Sequence, residues 1–131
     1  MSTHHISSQK LTIKQVAEIV NSKKQLVLSD DAKVKIEKCY TYLHNKIDGT
    51  DKAIYGINTG FGSLYNVNIN DEDLSQLQFN LIKSHACGTG DEVPKEIVKL
   101  MLLLKIQSLS YGHSGCQLQT VERLIQFFNK N

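Results

Sequence analysis

A titratable phenol opens the run Tyr55-Gly56-Ile57-Asn58-Thr59-Gly60-Phe61-Gly62, and three glycines follow it within seven positions. Glycine permits positive φ and close backbone approach, and it loses more conformational freedom on ordering than other residues do. Such a cluster therefore describes an irregular loop whose main chain passes close to something, although composition alone also allows a simple tight connection. On residue types, Tyr55 is either a proton acceptor at the mouth of that loop or an aromatic side chain packed at a strand end. A phenol, with a reference pKa of about 10, is a sluggish base at neutral pH, so the catalytic role requires a positive or hydrogen-bonding environment nearby. His85 is the second candidate. It continues the stripe of Leu74, Leu77, Leu81 and Ile82, and a single histidine on the apolar face of a helix is more often a hydrogen-bonded core residue than a ligand.

Two other chemistries fit less well. The spacing Gly56-x-x-x-Gly60-x-Gly62 could cradle a phosphate, but no Lys-Ser or Lys-Thr follows it and no buried parallel strand is expected before it. His85-x-Cys87 and His113-x-x-Cys116 carry soft metal ligands without a second tight pair, so no metal is expected. Fifteen Lys and Arg against thirteen Asp and Glu give a formal charge of +2. Because those charges are interspersed and not blocked, no nucleic-acid partner is expected. The first ten residues lack an apolar signal core and the longest apolar run, Leu100 to Leu104, is too short to span a bilayer, which makes a cytoplasmic location the default and a membrane partner unexpected. Cys39, Cys87 and Cys116 are odd in number and widely spaced, so they are expected to be reduced, small buried residues.

The elements that must position these residues are helical for the most part. With 131 residues, 40% hydrophobic and 21% charged, the chain has the size and composition of one globular segment. Thr12-Ile13-Lys14-Gln15 fits a capping box ahead of Val16, Ile19 and Val20. Leu26-Val27-Leu28 is a brief extended run, after which Ser29 can cap a helix carrying Val34, Ile36, Tyr40 and Leu43 as far as the Asp48-Gly49 turn. Ala53-Ile54-Tyr55 is expected to form a short strand leading into the glycine loop. A helix runs from Asn70 or Asp71 to His85, and Gly88 and Gly90 end the pattern. Pro94 suits a first helical position and Gly112 a left-handed stop, so the next helix spans about Pro94 to Tyr111. Its apolar residues cover nearly every face, which requires burial on all sides. Leu118, Val121, Leu124, Ile125 and Phe128 begin a last amphipathic helix with nothing after it to pack on. The unfinished core suggests a larger parent or an oligomer.

The Tyr55–Gly62 run, together with Leu77-Gln78, Asn80-Leu81, Ser84-His85-Ala86, Gly88, Leu103-Leu104-Lys105-Ile106, Ser108-Leu109, Gly112 and Ser114-Gly115, resembles the amino-terminal part of the histidine ammonia-lyases, in the aromatic amino acid lyase family. The resemblance runs from about Leu11 to the last residue. It implies the helical amino-terminal part of that fold, with one or two short strands near the Tyr55 loop. It also implies that residues 1–131 form a single segment ending before the Ala-Ser-Gly triplet from which the family makes its methylidene-imidazolone group. No Ala-Ser-Gly occurs in this chain, and His113-Ser114-Gly115 resembles a different, helix-borne motif. In the activity so implied, L-histidine gives urocanate and ammonia in a homotetramer with sites shared between subunits. Tyr55 would remove the β-proton, His85 would contact the substrate side chain, and Asn58, Thr59, Gly60 and Gly62 would shape and close the site. Ser84-His85 is similar to the histidine-specific members, whereas relatives acting on phenylalanine carry other residues at that pair. Gln117 stands where the family usually has an arginine, so an ion pair there is missing or replaced. Two alternatives stay open: a non-catalytic helical binding module that kept the fold, and a tyrosine or phenylalanine ammonia-lyase or aminomutase.

Overall fold

Thr12 starts the first helix by the mechanism its sequence predicts. Its hydroxyl accepts from the Gln15 amide at 3.3 Å while the Gln15 side chain accepts from the Thr12 amide at 2.8 Å, so two amides that the first turn leaves unpaired are both satisfied. The computed structural model describes residues 2–48, 52, 54–59, 69 and 71–130, except for the side chains of Asp71, Glu72 and Leu74. In chain order the elements are β1 (Thr3–Ile6), α1 (Ile13–Asn21), β2 (Gln25–Leu28), α2 (Asp30–Asp48), α3 (Asp71–His85), α4 (Lys95–Ser110) and α5 (Leu118–Asn129). They divide into two units, residues 1–48 with 93–131, and residues 49–92.

In the first unit, β1 and β2 pair in parallel with Thr3 opposite Gln25 and Ile6 opposite Leu28, and α1 makes the crossover. Leu26 and Leu28 point inward, whereas Gln25 and Val27 face out, as the two-residue period of a strand requires. Ile6, Ile19, Leu26, Leu28, Ala32 and Ile36 meet Leu103, Ile106 and Leu109 of α4 and Val121, Ile125 and Phe128 of α5 in one core. Ser29 caps α2, its hydroxyl accepting from the Ala32 amide at 3.2 Å. Polar ties also cross this unit. Gln107 Nε2 donates to the carbonyls of Ser7 and Gln9, both at 2.9 Å. Asn129 accepts from the Leu26 amide at 2.8 Å and donates to the Leu26 carbonyl at 3.0 Å, standing in for a neighbouring strand at the β2 edge. Gly112 ends α4 in the left-handed region at φ 71°, where a Cβ would come within 2.7 Å of the Lys35 carbonyl oxygen.

Mainly helical architecture with a two-stranded sheet agrees with the sequence reading, but four local expectations change. The strand expected at Ala53-Ile54-Tyr55 is not formed at Ile54 or Tyr55, Ala53 lying outside the described residues. The Ile54 carbonyl accepts from the Ile57 and Asn58 amides at 3.0 and 3.3 Å, and its own amide donates to Asn58 Oδ1 at 2.7 Å, so these groups are spent within a turn and cannot pair in a ladder. Pro94 serves as the N-cap of α4, one position ahead of the helix, and that helix is covered on only part of its circumference. Leu103, Ile106 and Leu109 are buried, while Ile97, Val98, Met101 and Leu104 are exposed. Cys39 and Cys116 are half-buried thiols, but Cys87, two residues past the end of α3, is exposed. Among the described residues no helix is long and apolar enough to cross a membrane.

Candidate active site

The second unit carries Tyr55 and His85 on different kinds of support. Tyr55 stands at the start of a turn whose shape depends on Asn58 and Thr59. Asn58 clamps the entry from both sides, accepting from the Ile54 amide at 2.7 Å and donating through Nδ2 to the Lys52 carbonyl at 3.2 Å. Thr59, buried at 1% exposure, accepts through its hydroxyl from the Gly56 amide at 3.2 Å. Gly56 lies at φ 74°, a conformation that a side chain would strain. The Asn58 carbonyl then accepts from the Ile69 amide at 3.1 Å. Lys52, Ile54, Gly56, Asn58 and Thr59 are thus tied into one bend, and the exposed Tyr55 ring projects from it. Short polar side chains that compete with the backbone for hydrogen bonds favour such a turn over a strand.

His85 is the last residue of α3. It is exposed, which corrects the expectation of a core histidine, since Ile82 beside it is also exposed and no core residue lies on this helix among the described positions. Its ring is held locally: Nδ1 lies 2.9 Å from the Leu81 carbonyl oxygen and 2.9 Å from Ser84 Oγ. The Ser84 hydroxyl also donates to the Leu81 carbonyl at 2.8 Å. The sequence pointed to His85 but gave no sign that Ser84 would hold its ring. Gly60 and Gly62, the other two expected loop residues, lie outside the described residues. Asn58 and Thr59 take part in the Tyr55 turn as expected, and Gly56, which the sequence reading treated only as one of a cluster, is the glycine whose φ the turn requires.

Elsewhere, Gln117 Nε2 donates to the Tyr40 hydroxyl at 3.5 Å, a weak neutral contact. Ser114-Gly115 follows α4, with Gly115 at φ 65° packed against the Leu43 side chain. With His113 ahead of it, this dipeptide has neither the sequence nor the setting of an electrophile precursor. No Ala-Ser-Gly triplet from which a methylidene-imidazolone group could form occurs in these 131 residues.

The sequence pattern of the aromatic amino acid lyase family matches residues 11–131, and the chain belongs to that family. Over 124 residues it is 44% identical to a histidine ammonia-lyase of Deinococcus radiodurans, which covers 95% of this chain and 24% of the relative. The crystal structure of histidine ammonia-lyase from Trypanosoma cruzi is 30% identical with a TM-score of 0.80, covering 98% of this chain and 25% of that one. The ergothioneine-degrading ergothionase of Treponema denticola superposes with a TM-score of 0.87 at 25% identity, covering 98% and 26%. The chain therefore spans about a quarter of the length of these relatives.

Proposed function

We propose that this chain is the amino-terminal part of a histidine ammonia-lyase that converts L-histidine to urocanate and ammonia. Identity of 44% to a relative of that name over nearly the whole chain carries the reading, and the exposed Ser84-His85 pair, with a ring nitrogen able to take a donor, supports it over a phenylalanine substrate. Elimination needs removal of a weakly acidic β-proton and an electron-poor acceptor for the amine. The turn built by Gly56, Asn58 and Thr59 presents the Tyr55 phenol as the base for the first task. The full-length protein supplies the second through a methylidene-imidazolone group, made from an Ala-Ser-Gly triplet that lies outside these 131 residues, and no metal is used. His85 receives the substrate imidazole, and Gly60 and Gly62 shape the covering loop. The enzyme works in the cytoplasm as a homotetramer, without nucleic-acid or membrane partners. Urocanate absorbance after incubation with L-histidine is the test: the full-length protein turns over, and the 131-residue chain alone does not. A full-length protein that releases no urocanate while deaminating tyrosine or phenylalanine would overturn the reading.

A further inference from the structure

Leu81, Ser84 and His85 form a closed triangle of polar contacts at the end of α3, and the triangle has only one consistent assignment of protons for a neutral imidazole. The Leu81 carbonyl oxygen can only accept. It lies 2.8 Å from the Ser84 hydroxyl and 2.9 Å from His85 Nδ1, and these two side-chain atoms are themselves 2.9 Å apart. If the ring carried its proton on Nε2, the Nδ1 lone pair would face the carbonyl lone pairs at hydrogen-bond distance with nothing between them. With the proton on Nδ1, the ring donates to Leu81 and shares that donation with Ser84 Oγ, while the Ser84 proton serves the same carbonyl. All three contacts are then attractive. This is the reverse of the tautomer a neutral histidine side chain ordinarily prefers in water, and it leaves Nε2 as a bare acceptor on an exposed residue.

We infer that Ser84 is a positioning residue which, together with the Leu81 carbonyl, fixes His85 as the Nδ1–H tautomer, so that Nε2 selects a substrate whose side chain carries a ring N–H donor. An imidazole supplies that donor and a phenyl ring does not, and an acceptor that a bound phenyl ring would cover and leave unpaired is a strong basis for rejection. The inference rests on the ammonia-lyase reading and deepens it, because it says how His85 would discriminate between ring types.

The test uses the full-length protein and the variants Ser84→Ala and Ser84→Thr. In Ser84→Ala the ring loses one of its two anchors, and KM for L-histidine rises about fivefold, the equivalent of one ordinary hydrogen bond, with kcat within about twofold. Ser84→Thr, which keeps the hydroxyl, restores KM. Protein labelled with ring-15N histidine gives the tautomer directly, the His85 signals being those lost in His85→Gln. Nδ1 is protonated in the parent, and Ser84→Ala moves the population towards Nε2–H. A parent His85 with its proton on Nε2 overturns the inference, as does a Ser84→Ala variant with unchanged KM and tautomer, or a Ser84→Thr variant that behaves like Ser84→Ala. Absence of any turnover of L-histidine by the parent would instead sink the ammonia-lyase reading, and the nitrogen spectra would still decide the tautomer.

Discussion

Removing the Asn58 side chain should loosen the turn that presents Tyr55 without unfolding it, and the size of the effect follows from the two bonds it makes. Asn58→Ala deletes the acceptor for the Ile54 amide at 2.7 Å and the donor to the Lys52 carbonyl at 3.2 Å. At about 1 kcal/mol net for each neutral bond, the turn loses about 2 kcal/mol of local stability, or roughly 30-fold in its opening equilibrium. The bonds from Ile57 to Ile54 and from Gly56 to Thr59 do not involve the Asn58 side chain and remain, so the bend persists in most molecules. Asn58→Asp separates the two contributions: it keeps an acceptor for Ile54, loses the donor, and sets a carboxylate oxygen against the Lys52 carbonyl. Hydrogen–deuterium exchange over residues 52–59 reads the outcome, with the Ile54 amide exchanging roughly 30-fold faster in Asn58→Ala and by a smaller factor in Asn58→Asp. In the full-length protein kcat/KM for L-histidine should fall in the same order. Unchanged Ile54 exchange in Asn58→Ala would refute the clamp, and Asn58→Asp exchanging as fast as Asn58→Ala would show that the Ile54 bond contributes nothing.

Tyr55→Phe keeps the ring and removes the proton acceptor, so kcat in the full-length protein should drop by about 10²–10⁴-fold; activity within about threefold of the parent would exclude Tyr55 as the base. Gly112→Ala puts a methyl group against the Lys35 carbonyl in a left-handed conformation and should cost at least about 2 kcal/mol, seen as a lowered melting temperature; an unchanged melt would refute that packing. Burial, with Lys24 and His5 nearby, holds the His4 imidazole below its ordinary value of 6.5, so the folded state binds fewer protons than the unfolded chain. Its contribution is therefore complete above pH 6.5 and lost as pH falls below it, and His4→Gln should flatten the dependence of melting temperature on pH in that range. The 131-residue chain, with Ile97, Val98, Met101 and Leu104 exposed on one helix, should self-associate and bind a hydrophobic dye; a monodisperse, dye-negative monomer with a sharp melt would contradict this.

Where burial follows a period, the sequence was readable. The stripe Val121, Ile125 and Phe128, the alternation of Leu26 and Leu28, and the Thr12, Ser29 and Gly112 end signals all appear in the structure where their chemistry places them. The failures have a different physical origin. Tyr55 was expected to end a strand because Ala-Ile-Tyr has strand-forming side chains, but the Asn58 carboxamide, three residues on, captures the Ile54 amide first. Asn129 pairing with both backbone groups of Leu26 joins positions 103 apart, and no local pattern announces such a partner. Likewise, the sequence shows Ser84 next to His85, but adjacency on a helix ordinarily points two side chains in different directions, and only the shared Leu81 carbonyl brings them together.

Two of these three failures fall where the proposed site lies, and the distribution of burial explains why. Every buried hydrophobic residue among the described positions belongs to the first unit; in residues 49–92 the one buried side chain described is that of Thr59, a hydroxyl engaged with its own turn. The first unit is fixed by apolar burial, worth roughly 25 cal/mol per Å² and legible as period. The candidate site is fixed by a handful of short-range polar bonds, each worth about 1 kcal/mol and dependent on the rotamer of one side chain. Substitutions in the two units should therefore differ in kind. A core change such as Ile106→Ala lowers global stability, whereas a change at Asn58, Thr59 or Ser84 alters the geometry presented to a substrate while the melting temperature scarcely moves. A ring held by Ser84 and a phenol carried on the turn that Asn58 clamps are independent devices in sequence and in bonding. Their single-variant effects on kcat/KM should add in the double variant if each acts only on its own group, and a non-additive result would reveal a substrate that couples them.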